Sequence, residues 1–320
     1  MRASVLWVCG LLGMILLAKL APIRYVFLTS EILIALLFAT SLNLLMGYGG
    51  MLSLGHSAYY ALGAYAAAIL STTFGWPLGA ALLSGPAAAA LGSLVFGALI
   101  VRTSHEEHAY FLMLTLAFSQ LVFALIYKWY GVTHGDDGIS GIQASGALAD
   151  PRNYCVFAVL TVGASLYALW RIVHSPFGLT LQAIRDNPRR AEFVGLSVRF
   201  YQLLAFVVAG FFAGIAGTLY AFFAGTISPQ IADWGASSRP FLSNIIGGLG
   251  GFWGPAVGVL VFELIDSQVG RFTEHSLLAV GVLALLVGLC LPRGITGLFE
   301  RGAGPADPPV PGSLLSRFRR

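Results

Sequence analysis

The chain has 320 residues, of which 57% are hydrophobic and 10% charged, with a formal net charge of +4 and a mean hydropathy of +0.81. A soluble domain carries about 25% charged residues, so most of this surface must face something other than water, which argues against a soluble enzyme. Lys19 and Lys128 are the only lysines, and the arginines lie in gaps between apolar runs, where they act as topology signals; a nucleic-acid binder would gather them on one wetted face, so the expected surroundings are a lipid bilayer and not a nucleic acid.

The first apolar run covers residues 4–22. Arg2 followed by Ser4 to Ala18 has the look of a signal peptide, but the run continues to Ala21 without a small-x-small cleavage site, so it is read as a first transmembrane helix. A span needs ~20 apolar residues, and further spans are read at 25–46, 57–74, 77–101, 109–130, 153–173, 201–226 and 274–292. The fold class is therefore an all-α integral membrane protein, a polytopic bundle of about eight transmembrane helices. Cys9, Cys155 and Cys290 lie in apolar stretches without CxxC spacing, which points to buried free thiols and neither a disulfide framework nor a metal site.

Segment 131–151 lacks Arg and Lys and contains Asp136, Asp137 and Asp150, whereas segment 171–200 holds Arg171, Arg185, Arg189, Arg190 and Arg199. Basic loops stay cytoplasmic, so 171–200 and the arginine-rich tail after 292 are expected inside, with 131–151 outside and both termini cytoplasmic. The chain must then cross an even number of times between 200 and 292. Three apolar runs are available, and 241–265 is broken by Gly247, Gly248, Gly250, Gly251, Gly254 and Pro255. It is expected to be re-entrant and to lie beside the translocation route, because non-helical backbone at membrane depth needs protein or water around it. An internal echo supports this: Asn43-Leu-Leu-Met-Gly47-Tyr-Gly49-Gly50 matches Asn244-Ile-Ile-Gly-Gly248-Leu-Gly250-Gly251. Paired broken helices in internal repeats are a transporter signature. Gly210, Gly214 and Gly217, and again Gly254 and Gly258, have the small-residue spacing of closely packed membrane helices.

Residues 175–200 are the main cytoplasmic feature. Ser175-Pro176 suits a helix start, Leu181 and Ile184 share a face, and Pro188 should end or bend that helix. A second short helix would carry Ala191, Phe193 and Val194. A half-apolar, basic loop of this kind suits a docking partner as well as a solvated face. The tail, 301–320, has Pro305, Pro308, Pro309 and Pro311 and reads as disordered, with Leu314, Leu315 and Phe318 able to touch a membrane surface. No Gly-Lys-Ser/Thr, G-x-S-x-G or H-E-x-x-H sequence occurs, so energy for active transport would come from a partner or an ion gradient.

Segment 175–195 resembles the S-P-F-G-x-x-L-x-A-I-R-[ED]-x-x-x-x-A-E-x-x-G pattern of branched-chain amino acid ABC-transporter permeases of the LivM type. The matching residues are Ser175, Pro176, Phe177, Gly178, Leu181, Ala183, Ile184, Arg185, Asp186, Ala191, Glu192 and Gly195. Leu42 to Leu45, Gly47 to Gly50, Leu52 to His56 and Gly63-Ala64-Tyr65 are similar to the family's LNLL-x-GY-x-G-x-LSLGH stretch. Gly135 to Ile142, Ile227-Ser228-Pro229, Gly247 to Gly250 and Gly254-Pro255 extend the likeness, which covers about residues 40 to 297. The resemblance implies a permease domain over 1–300 that pairs with a sister permease, two cytoplasmic ABC ATPases and a periplasmic substrate-binding protein in a bacterial inner membrane. It implies an ATPase-coupling role for the 175–195 matches. ATP would be bound by the partner ATPases, and this chain would hold no cofactor.

The translocation path is expected at Asn43, Gly47, Gly49, Gly50 and His56 and at Asn244, Gly248, Gly250 and Gly251. His56 either bonds backbone freed at the break or lines the path. Asp136–Asp137 reads equally as a solvated turn or a binding-protein contact. His105 and His108, three apart around Glu106 and Glu107, replace the family's short arginine-glycine turn and suit a wet turn better than a metal. Glu31 and Glu263 are acids in apolar runs; placement near the interface beside Arg24 explains Glu31, and a proton relay is the alternative, strongest at Glu263. An ion-coupled secondary transporter and an ABC permease for another small solute, such as urea or an amide, are the rival readings.

Overall fold

The computed structural model describes residues 18–76, 78–103, 108–144, 146–269, 276–291 and 294–298, with a few positions between 7 and 16. Most of the apolar run 4–22, the segment His105–Glu107, Arg293 and the tail 301–320 lie outside the described residues. In chain order the helices are α1 (Ile23–Asn43), α2 (His56–Thr72), α3 (Leu78–Thr103), α4 (His108–Lys128), α5 (Tyr130–Thr133), α6 (Pro151–Val173), α7 (Pro176–Asp186), α8 (Pro188–Phe193), α9 (Val198–Ala224), α10 (Trp234–Gly247), α11 (Gly254–Val269) and α12 (Ser276–Cys290). The protein is an all-α polytopic bundle. Strands β1 (Ile139–Ser140) and β2 (Thr226–Ile227) form only a two-residue antiparallel clasp.

Among the described residues, five segments are long and apolar enough to cross a bilayer: Ile23–Tyr48, Gly79–Arg102, Tyr110–Lys128, Pro151–Val173 and Val198–Ala224. Helices α2 and α10 have 17 and 14 residues, short of the ~20 a full span needs. The reason is where they begin. Ser57 at the start of α2 and Ala232 just before α10 both bond Ser119, at 2.9 and 2.7 Å, and Ser119 sits near the middle of α4. Both helices therefore start at mid-depth. The chain reaches those starts through non-helical backbone, 49–55 rising from the end that carries α7 and α8 and 225–233 descending from the end that carries the β clasp. We refer to these as the basic and acidic ends.

The apolar run 241–265 is thus two helices. Residues 248–253 turn at the basic end, and α11 climbs back against α10 with backbones nearly touching: a Cβ at Gly258 would overlap Ser243 O, and one at Gly247 would overlap Gly254 O. The segment 225–269 starts and finishes toward the acidic end, so the even parity holds through a hairpin preceded by an irregular descent.

Helices α2, α3 and α9 form the tightest part of the core. Gly217 packs on Tyr60 O, Gly63 on Gly214 and Gly85 on Thr218, each too close for a side chain. Thr218 adds hydrogen bonds to Gly214 O at 2.8 Å and Gly63 O at 3.3 Å. Close backbone contact of this kind replaces the hydrophobic drive that lipid removes. Cys155 is buried as expected, but Cys290 is exposed; an apolar run in a membrane protein has a lipid side, so hydropathy alone does not bury a residue.

Candidate functional site

The two sequence echoes meet at the basic end. Asn43, the last residue of α1, donates from Nδ2 to Gly251 O at 3.2 Å, and Asn244 of α10 donates to Ala39 O at 3.0 Å. Both side chains are buried. Between them α1 runs into a π-helical turn, Leu44–Tyr48, whose looser winding lets Gly47 lie against Leu249 O. Gly49 is buried, Gly50 and Gly251 are half-buried and Gly250 is exposed. Gly50 and Gly248 have φ of +67° and +112°, where a side chain is strained. The chain after α12 closes the crossing, with Ile295 N donating to Ile246 O at 3.0 Å and Thr296 Oγ1 to Gly247 O at 2.7 Å.

Arg185, on α7, reaches this crossing. Its Nη1 donates to Gly47 O, and its Nη2 lies 3.4 Å from Asp186. A Cβ at Gly50 would lie 2.6 Å from Arg185 Cγ. Helix α7 forms because Pro176 pre-sets its first turn; it ends at Asp186 because Pro188 follows, and Asn187 Oδ1 caps α8 through Arg190 N at 2.9 Å. Leu181 and Ile184 are buried together, with Gly178 packed on Val173 O. Ser175 Oγ donates to Ile172 O at 2.6 Å, and Phe177 stacks on Tyr201. The second helix differs from the expectation in one respect: Ala191 is buried, but Phe193 is 92% and Val194 79% exposed. The helix is too short to turn all three inward. Ala183, Asp186, Glu192 and Gly195 are exposed as well.

His56 is fully buried between Phe38 and Tyr59. Its Nε2 pairs with Ser41 Oγ at 2.8 Å and not with freed backbone, because Ser53 and Thr115 already serve Gly55 N and Leu54 N. Beside it lies a cluster that sequence reading missed. Ser57 and Ser119 both donate to Ala232 O, at 3.1 and 2.7 Å, Ser57 N donates to Ser237 Oγ at 2.8 Å, and Gln120 donates to Asp233 at 2.7 Å. These groups satisfy the backbone where the two shortened helices begin. The one available signal was Ser228-Pro229 breaking the run after α9.

At the acidic end, Asp136 and Asp137 lie in a 3-10 turn, and Tyr130 Oη donates to Asp137 at 2.8 Å. That bond and the carboxylate's charge push the Tyr130 phenol above its ordinary value. Glu31 lies about 12 Å along α1 from Ile23, at ~1.5 Å per residue, far deeper than the interface position expected for it. Glu263 is half-buried on α11.

Residues 24–291 match the family described as the permease component of branched-chain amino acid transport systems. The high-affinity branched-chain amino acid permease LivM of Escherichia coli strain K12 is 28% identical over 82% of this chain and 68% of its own length. LivM of Salmonella typhimurium gives the same identity and coverage. The guanosine ABC transporter permease NupQ of Bacillus subtilis strain 168 is 24% identical over 82% of this chain and 88% of its own.

Proposed function

This chain belongs to the permease family of branched-chain amino acid transport systems, and from that premise we propose that it carries branched-chain amino acids across a bacterial inner membrane as one permease of an ATP-driven importer. It works with a sister permease, two cytoplasmic ATPases and a periplasmic binding protein. Its termini and helices α7 and α8 lie on the cytoplasmic side. The amino-acid cargo is supported by two LivM relatives at 28% identity.

One contact supports the coupling mechanism above the others: Arg185 of α7 bonds Gly47 O inside the crossing. Helix α7 is anchored by Leu181 and Ile184, so it moves as a lever, while the exposed Leu179, Phe193 and Val194 offer an apolar surface to an ATPase. Closure of the ATPases then pushes α7. Arg185 passes that motion to the π-helical turn, and the turn shifts the hairpin through the Asn43 and Asn244 bonds. The glycine-lined crossing thereby opens or shuts the path between this chain and its sister.

A tagged chain extracted from its own host in mild detergent should bring down two Walker-A-containing ATPases and a second permease. Recovery of the functional chain alone would remove the importer reading. The NupQ match, which spans 88% of that guanosine permease, favours a nucleoside as the second reading of the cargo. Uptake of labelled leucine competed with leucine, isoleucine, valine and guanosine separates the two.

A further inference from the structure

Four ionisable side chains lie at mid-depth on one face of the bundle. Glu31 of α1 and Arg239 of α10 are exposed, and Glu263 and Asp266 of α11 are half-buried. The register of the hairpin fixes their level. Counting back along both legs from the Ser243–Gly258 and Gly247–Gly254 contacts brings Arg239 level with Phe262 and Glu263. Arg239 is nine residues from Gly248 and Glu263 ten from Trp253, roughly 14–15 Å from the turn at the basic end at ~1.5 Å per residue, which is close to the centre of a ~30 Å hydrocarbon layer. Glu263 is within electrostatic reach of Glu31, Arg239 and Asp266.

Among the described residues the single ion pair is Arg185–Asp186, so none of these four charges is neutralised there. Charged side chains at this depth face a bundle interior or a water-filled cavity and mark solute routes. A polar group from the core points the same way. Tyr60 of α2 is 9% exposed, with its ring against Phe38 and Tyr220 at 4.5 and 5.7 Å. Its hydroxyl has no hydrogen bond among the described residues, and it lies within electrostatic reach of Arg239 and Glu31. A hydroxyl left without a protein partner beside charges of both signs is open to a polar ligand.

We infer that Tyr60, Arg239, Glu263 and Glu31 form a water-facing recognition site for a small zwitterion, the Arg239 guanidinium taking its carboxylate and the two acids its ammonium group. The inference rests on the amino-acid reading of the cargo and adds to it the residues that recognise the charged ends. A guanidinium matches a carboxylate bidentately, and carboxylates accept the three ammonium protons. The Tyr60–Phe38 ring pair leaves an apolar wall beside them for a branched side chain. An uncharged nucleoside needs no opposed charges at mid-depth.

The test uses the assembled importer in membrane vesicles. Glu31→Cys and Glu263→Cys are made singly in a chain whose Cys9, Cys155 and Cys290 are serine. Leu91→Cys, at an apolar α3 position that is 64% exposed, serves as the lipid-facing control. Co-purification of the ATPases reports assembly of each variant. A membrane-impermeant thiosulfonate should modify positions 31 and 263 roughly tenfold faster than position 91, and saturating leucine should slow both reactions. Arg239→Gln should lower leucine uptake about tenfold or more with ATPase recovery unchanged. Equal reactivity at the three positions, or undiminished leucine uptake by Arg239→Gln, overturns the site even where the wild-type importer carries leucine. If the wild-type importer carries no amino acid and guanosine slows the labelling, both this inference and the amino-acid reading fall.

Discussion

Asn43 and Asn244 each reach across into the other's segment, Asn43 to Gly251 O and Asn244 to Ala39 O. The residues share a place in the sequence echo, N-φ-φ-x-G-φ-G-G, and share a structural task. Asn43 pins the end of its helix to the other break itself, and Asn244 pins its helix to α1 about one turn before the π-helical turn. The two breaks are therefore held as one unit, and a displacement of either is passed to the other.

Asn43→Ala and Asn244→Ala should each destabilise the protein by about 1–3 kcal/mol, the cost of removing one partner of a buried bond. The double variant should lose less than the sum, since the crossing loosens once either bond is gone. Thermal unfolding of the detergent-purified complex measures this. Full additivity would show two independent anchors and count against a shared unit.

The glycines of the echo are not equivalent. A Cβ at Gly47 would overlap Asn43 Oδ1 and Leu249 O, whereas one at Gly250 would meet nothing within 4 Å. Gly47→Ala should abolish uptake or prevent assembly, and Gly250→Ala should keep uptake within roughly twofold of wild type, as surface changes away from such features do. Vesicle uptake with the two variants side by side checks this. Equal loss from both would mean that the motif is read by a partner surface and not by its own packing.

Much of this architecture was legible in the sequence, and the part that was not has a physical reason. The spans around α1, α3, α4, α6 and α9 follow from runs of apolar residues long enough to cross a bilayer. The break at 247–255 follows from glycine density, and the ends of α7 and α8 from Pro176, Asn187 and Pro188. What hydropathy could not supply is depth. A window that sums apolar residues treats 57–74 and 241–265 as spans or failed spans, because it cannot tell that α2 and α10 both start halfway through. Their starting level is set by bonds from Ser57 and Ser119 to Ala232 O, made between residues 113 or more apart. Glu31 was placed at an interface by its neighbour Arg24 in the sequence, while the helix carries it well inside.

Arg185 should be the residue whose loss separates hydrolysis from transport. In the Arg185→Ala variant the bond to Gly47 O goes, but Leu181 and Ile184 still anchor α7, so the ATPases should remain docked. ATP hydrolysis by the purified assembly should stay within about twofold of wild type, while uptake per ATP falls by roughly tenfold or more, since a charged hydrogen bond is worth about 1.5–3 kcal/mol. Arg185→Lys should recover little, because a lysine lacks the guanidinium fork that reaches Gly47 O while lying beside Asp186. Unchanged uptake per ATP in Arg185→Ala would remove this contact from the coupling route.

The mid-depth serines give the last test, and its outcome depends on redundancy. Ala232 O accepts from both Ser57 at 3.1 Å and Ser119 at 2.7 Å, and Ser57 also pairs with Ser237 Oγ at 2.8 Å. Ser119→Ala leaves Ala232 O with one donor and should cost about 1 kcal/mol or less. Ser57→Ala removes a donor to Ala232 O and the acceptor of Ser237 Oγ together and should cost more. The pair of substitutions orphans a buried carbonyl at bilayer depth, where no water replaces the lost bond, and should destabilise by more than the sum of the single changes. Unfolding midpoints of the two single variants and the double variant measure the excess. A double variant no worse than the sum would mean that water reaches Ala232 O, and that the start of α10 is held open to the path and not sealed in the core.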